Sequence, residues 1–306
     1  MTGSADQLRA WGRSLQTWTR VTLVWLMAIT VTGAVVRLTG SGLGCTDWPT
    51  CSVNTELDAP AFHSAIEFGN RVISGLAIIP VIAAWIAARR GRPDLIPWLM
   101  AMIAGFVGQV LLGMLVTRTE LDPRVVLGHF LLSIVLIFIG VVLDVRARQT
   151  EIENPLSGAR SSAFAMLVIT SVLVVVGTLV TGSGPHTGSD ESGEAIARLG
   201  FDIREVTRFH SLIAWALVAM ILWSLWRARN EPAESTKGLR VIAGIAVAQG
   251  GIGYLQYFLG VPEFLVGLHI AGSVLLWTAV ATHWVRTASR PGREVQMAPA
   301  PSEVPA

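Results

Sequence analysis

Gln109-Val-Leu-Leu-Gly113, with His129 sixteen residues further on, returns as Gln249-Gly-Gly-Ile-Gly253 with His269 the same distance beyond. The offset is 140 residues throughout, and it carries Asn70 onto His210. Self-similarity at a fixed offset marks an internal duplication, so two copies of one unit are expected. A weaker echo agrees: Thr39-Gly-Ser-Gly returns as Thr181-Gly-Ser-Gly at an offset of 142. Three corners of the repeated pattern hold histidine and the fourth holds asparagine. The chain has only six histidines, and these three lie in apolar segments, where an ionisable side chain is costly unless paired or used.

The segments around them have the composition of membrane spans. The 306-residue chain is 52% hydrophobic and 14% charged, with a mean hydropathy of +0.57, which excludes an ordinary soluble domain. Eight apolar runs approach the length a bilayer-crossing helix needs, near 20–38, 66–88, 95–117, 124–144, 162–182, 207–227, 239–259 and 264–285. The runs are continuous rather than alternating, so helices are expected and barrel strands are not. The fold class is therefore all-α: a polytopic membrane protein of eight transmembrane helices, arranged as two pseudo-symmetric four-helix bundles. The N-terminal bundle covers 1–147 and the C-terminal bundle 148–290, with a polar joint around Pro155. A Pro- and Ala-rich tail over 291–306 is expected to be disordered.

Orientation follows from charge. Basic residues collect at the N-terminus (Arg9, Arg13, Arg20), after runs two, four and six, and after run eight. The opposite loops carry Asp47, Glu56, Asp58, Glu120 and Asp122. The positive-inside rule then puts both termini in the cytoplasm of a multi-pass protein of the cell (plasma) membrane. A net charge of +2 reflects this asymmetry and not a nucleic-acid surface. No small-residue cleavage site follows the first run, so it reads as a span and not a signal peptide.

Depth brings the four corners together. Asn70, His129, His210 and His269 each fall within about two helical turns of the start of a run that enters from the outer face. Each half thus presents two positions at matched depth, 59 residues apart in both. Facing helices of a bundle can clamp the iron of a haem between two such side chains. His210 and His269 make the complete pair. A single membrane histidine more often bonds a neighbouring helix, but two at one depth, with a third in the parallel half, favour haem ligation. Zinc is disfavoured, because no Cys or carboxylate completes a tetrahedral set near the pair. Gly128, Gly267 and Gly272 suit either a porphyrin or close helix packing.

Glu67, three residues before Asn70, shares its helix face, whereas the shifted position 207 is Thr. It either caps its helix and pairs with Arg71, or it serves chemistry in the first half. Cys45 and Cys51 lie in the first outer loop, where a disulfide is the default, as a loop staple or as a redox couple. No Cys-x-x-Cys-His is present, which disfavours covalent haem attachment.

Thr39-Gly-Ser-Gly-Leu-Gly-Cys-Thr-Asp-Trp-Pro-Thr-Cys51, Ile66-Glu-Phe-Gly-Asn-Arg71, eight spans and paired histidines together resemble the haem A synthase family of cytochrome oxidase assembly. The resemblance implies oxidation of the C8 methyl of haem O to a formyl group, through successive hydroxylations and loss of water. It implies haem b as cofactor on His210 and His269, and a haem O substrate site around His129 and Glu67. Haem O synthase, a farnesyltransferase, is an implied partner beside the lipid bilayer and an electron donor of unknown identity.

The family's Glu-x-x-His reads Glu67-Phe-Gly-Asn70 here. Asparagine is a poor iron ligand, so the substrate iron is expected to be five-coordinate on His129, with His63 as the alternative that swings in; loss of activity is a third reading, which retention of Glu67, His129 and the cysteine loop disfavours. Arg37, Arg71, Arg204 and Arg208 are candidates for the haem propionates or for solvated interfacial positions. Two rivals remain. One is a non-catalytic di-haem b-type electron carrier, which needs a second bis-histidine pair that Asn70 withholds. The other is a transporter, which the equal orientation of four-span halves and the lack of a clear broken helix disfavour.

Overall fold

The computed structural model describes residues 3–45, 47–52, 60–148, 159–189 and 196–288. Its helices are α1 (Gly3–Leu38), α2 (Pro60–Leu76), α3 (Ile78–Gly91), α4 (Ile96–Arg118), α5 (Pro123–Arg148), α6 (Ala159–Ser183), α7 (Ile203–Arg227), α8 (Ala233–Phe258) and α9 (Glu263–Ala288), with one 3₁₀ turn at Pro93–Leu95. Among the described residues there is no strand, and eight helical stretches are long and apolar enough to cross a membrane. The predicted disordered tail, 291–306, and most of the predicted joint lie outside the described residues.

Seven of the predicted runs are each one helix. The second is two, α2 and α3, broken at Ala77. The cause is Pro80: it has no N–H to give the Leu76 carbonyl, and its ring crowds that oxygen. The backbone tightens instead, with the Ala77 N–H donating to the Ser74 carbonyl at 3.2 Å. The shifted position 220 is Met, and α7 runs unbroken. Among the described residues, the break is therefore confined to the first half of the chain.

Helix packing follows the duplication. α1 lies on α3 and α5 and α4 lies on α5, while α6 lies on α7 and α9 and α8 lies on α9. The halves meet where α9 packs on α1 and α5, and where α5 touches α6. Leu15, Val81, Leu99, Met102, Ile137 and Ala281 centre one apolar core, and Met166, Leu217, Ile221, Ile242 and Val280 centre the other. Lipid is as apolar as these side chains, so close packing and interhelical hydrogen bonds carry much of the association. Trp277 Nε1 donates to the Ile134 carbonyl at 3.0 Å, and Arg20 and Arg148 both reach buried Asp144 at 3.0 Å.

At the end that bears Cys45 and Cys51, the two Thr-Gly-Ser-Gly stretches steer the chain back over the bundle. Ser41 and Ser189 form an antiparallel bridge, and the Gly42 N–H donates to the Gly188 carbonyl at 2.7 Å. A side chain at Gly42 would sit 2.8 Å from that oxygen, and Gly188 has φ of +108°, so both positions need glycine. This seam joins the first loop of one half to the corresponding loop of the other.

Candidate functional site

One cavity of about 2110 Å³ receives Glu67, Asn70, Arg71 and His129 from the first half and His210 and His269 from the second. That is roughly twice the upper end of the 300–1,000 Å³ usual for small-molecule pockets, so it suits two large ligands better than one.

The three histidines are presented alike. Their rings lie edge-on against glycines of a neighbouring helix: an added Cβ at Gly113, Gly177 or Gly253 would stand 3.6, 3.1 or 3.3 Å from Cε1 of His129, His210 or His269. Each Nδ1 is buried against that helix without a hydrogen bond of strict geometry. The Leu173 and Gln249 carbonyls nonetheless approach the His210 and His269 rings closely enough to interact with them. Each Nε2 is the ring nitrogen left to the cavity, and the cavity is lined by all three residues. Glycine contacts pack each ring in place, and an imidazole nitrogen facing a cavity is available for metal ligation.

His210 and His269 have ring centroids 6.4 Å apart. Two imidazoles facing one metal through bonds of about 2 Å each, plus the half-width of each ring, require a separation of this order. Among the described residues no group of three or more His, Cys, Asp or Glu stands together as a metal site. The donor sets are a pair and a single imidazole, which fits a metal that brings four ligands of its own, as haem iron does.

Glutamines brace the ligand helices. Gln109 Nε2 donates to Ser133 Oγ at 2.7 Å and to the His129 carbonyl at 3.2 Å. Gln249 is buried over Gly272, where any Cβ would collide with its amide. Gly272 therefore admits Gln249 and Gly267 faces Leu38, so both glycines serve helix packing and not a porphyrin.

In the first half the carboxylate is engaged on both sides. Glu67 is 6% exposed, its Oε2 accepts the Cys45 N–H at 2.8 Å, and its Oε1 accepts from Arg71 Nη2. Arg71 also donates to the carbonyls of Asp47 and Thr50 at 2.8 and 2.9 Å. Cys45 and Cys51 are joined as a disulfide. One arginine thus ties the disulfide loop to α2. Removing it would leave a buried carboxylate uncompensated, at a cost of about 3 to 5 kcal/mol.

Asn70 Oδ1 accepts from Thr32 Oγ1 on α1 at 2.8 Å, which leaves the amide nitrogen to the cavity. His63 does not line the cavity: its Nδ1 bonds Ser41 Oγ at 2.8 Å. Arg37, Arg204 and Arg208 do line it. Arg37 spends Nε and Nη2 on the His186 and Thr181 carbonyls, at 2.8 to 3.0 Å, and so ties α1 to the second half. Arg208 pairs with Glu205 at 2.6 Å. Thr32, Ser133, Trp215 and Tyr254 are site residues that the repeat pattern did not single out; only the partners on facing helices mark them.

Fold and site together define a polytopic helical membrane protein whose duplicated halves open a shared, histidine-lined cavity. The chain belongs to the cytochrome oxidase assembly protein family (COX15-CtaA), whose sequence model matches residues 16–60 and 52–281. It is 28% identical over 314 residues to a haem A synthase of Shewanella oneidensis, covering 86% of this chain and 93% of that protein. To a haem A synthase of Listeria monocytogenes it is 25% identical over 229 residues, covering 69% and 74%. A shorter similarity, 43% over 72 residues, is to a protoheme IX farnesyltransferase of Thermus thermophilus; it covers 23% of this chain and 12% of that protein.

Proposed function

We propose that this chain is a haem A synthase, a membrane oxidoreductase that converts haem O to haem A for cytochrome oxidase assembly. Haem O is the substrate in the half formed by 1–147, and haem b is the cofactor in the half formed by 148–290. The observation that carries the reading is the asymmetry of one duplicated cavity: a pair of imidazoles, His210 and His269, in one half, and in the other His129 with Asn70 and buried Glu67. Family membership and the two haem A synthase relatives support it.

His129 Nε2 takes the substrate iron and fixes the porphyrin across the first-half cavity. Thr32 holds Asn70 by its carbonyl oxygen, so the face opposite His129 keeps a free coordination position. Glu67, aimed by the Cys45 N–H and Arg71, lies beside the C8 methyl and stabilises positive charge that develops on that carbon. Each of two hydroxylations takes two electrons from the carbon to an external oxidant of the dioxygen class and replaces C–H by C–OH with oxygen from that oxidant or from water, and the geminal diol loses water to leave the formyl group. His210 and His269 would hold a haem, which would supply one-electron transfer when bound. Arg204 and Arg208 face the propionates, and Arg37 fixes the seam between the halves. Both termini face the cytoplasm, the disulfide loop faces out, and haem O synthase delivers the substrate.

Haems extracted from cells that make haem O, with and without the chain, test this reading. Haem A or its hydroxylated precursor appears only with the chain. Haem B alone in the purified protein would instead support the electron-carrier reading.

A further inference from the structure

The duplicated halves differ at the seam between their second and third spans. In the second half, Trp215 on α7 donates its Nε1–H to the Tyr254 hydroxyl on α8 at 3.0 Å, and Ser211 bonds the same hydroxyl. Ser211 follows His210, and Tyr254 follows the Gly253 against which His269 rests, so this bridge ties α7 to α8 beside the His210–His269 pair. Moved back by 140 residues, Trp215 falls on Gly75 and Tyr254 on Met114. Neither can make the bridge.

The first-half seam is open at that place. No Cα of α2 comes within 8 Å of one in α4; of the two helices of the second span, α3 is the one packed on α4. A side chain added at Gly75 would meet nothing within 4 Å, yet Gly75 lines the cavity. So do Val107, Val110 and Leu111, which are 56%, 51% and 51% exposed on the surface that lipid would cover. Among the described residues a long hydrogen bond crosses from α2 to α4 near the loop end, Arg71 Nη2 to Thr117 Oγ1 at 3.4 Å.

We propose that the gap between α2 and α4 at Gly75 is a lateral entrance from the bilayer, through which a porphyrin carrying an isoprenoid chain reaches His129 and in which that chain stays seated. The Trp215–Tyr254 bridge is the closed counterpart that retains the resident haem. The occupant follows from continuity and chemistry: the gap joins the cavity to lipid through an apolar lining, which suits a membrane-dissolved amphiphile and not a water-soluble one. The disulfide loop, held on α2 by Glu67 and Arg71, contributes Trp48 and Pro49 to the cavity lining at the loop end. The proposal rests on the reading of haem O as substrate.

The test grafts the bridge. The full chain carrying Gly75→Trp and Met114→Tyr, in lipid nanodiscs, is offered haem O from vesicles while uptake is followed by absorbance. Initial uptake falls at least tenfold, and the second-half haem content stays at the unsubstituted level. In the reciprocal protein, Trp215→Gly, resident haem passes to apomyoglobin at least tenfold faster. Unchanged haem O uptake by a graft that retains its resident haem overturns the entrance alone. An unsubstituted protein that takes up no haem O overturns the substrate reading and the entrance with it. Should the graft not fold, Val107→Trp on the open face of α4 is put through the same uptake measurement: a tenfold fall supports the entrance, and unchanged uptake overturns it.

Discussion

Cys45 donates its backbone N–H to Glu67 Oε2 at 2.8 Å, so one end of the disulfide and the buried carboxylate on α2 are hydrogen-bonded to each other. A hydrogen bond to a charged acceptor is worth about 1.5 to 3 kcal/mol. The loop is therefore part of what aims Glu67, and not only a cover.

Cys45→Ser together with Cys51→Ser frees the loop while leaving His210 and His269 alone. The expected outcome is a protein with a full complement of second-half haem and a rate of haem A formation lowered about tenfold or more, as loss of one transition-state contact does. Haem content per protein and product analysis read the two effects separately. Equal loss of both would mean that the disulfide serves the fold as a whole.

Glu67→Gln keeps the volume and removes the charge. Haem O still binds on His129, and oxidation slows by about a hundredfold, the scale of an aimed electrostatic group. A Glu67→Ala protein that binds haem and makes haem A at the normal rate removes Glu67 from the mechanism.

Asn70→His restores the fourth corner of the pattern. The first-half haem then becomes six-coordinate and low-spin, loses carbon monoxide binding, and is oxidised about tenfold more slowly or worse. Asn70→Ala keeps carbon monoxide binding. A high-spin, ligand-binding spectrum for Asn70→His would show that His129 and position 70 do not face one iron.

Asp47 sets the acid limit of the loop. Its carboxylate accepts from the Ser52 N–H at 2.6 Å and from the Thr50 and Ser52 hydroxyls at 2.8 Å, and these bonds hold it below the usual carboxylate range, led by the Ser52 N–H. A depressed folded value means that the ordering is complete above the unfolded value of about 3.9 and is lost as pH falls through the lower, folded one. The protection factor of the Ser52 amide, its exchange slowed relative to an unstructured peptide at the same pH, therefore holds down to about pH 4 and is lost as pH falls further, and Asp47→Asn lowers it throughout.

The histidine corners and the span count were legible because membrane helices write their length and polar positions directly into the sequence, whereas Gln109 and Gln249 showed only as repeat positions and not as braces. His129, His210 and His269 could be placed at one depth by counting turns, and the structure has them in one cavity. The bond between Thr32 and Asn70, the tie from Arg37 to the His186 carbonyl and the Trp215–Tyr254 bridge were not legible. Each joins residues far apart in the chain, and its partner depends on helix rotation, which hydropathy does not encode. The break at Ala77 had a local signal in Pro80, hidden inside an apolar run that met the length of a single span.

The central claim is that one half of a duplicated bundle acts on haem O while the other holds haem b. Its most direct measurement is chromatography of haems extracted from cells that make haem O, with the unsubstituted chain, with the His129→Ala chain and with neither. The account predicts haem A only with the unsubstituted chain, and haem O accumulating in the other two, while purified His129→Ala protein still carries haem b. Haem A formed at the normal level by His129→Ala, or haem O left unconverted by the unsubstituted chain, would contradict it.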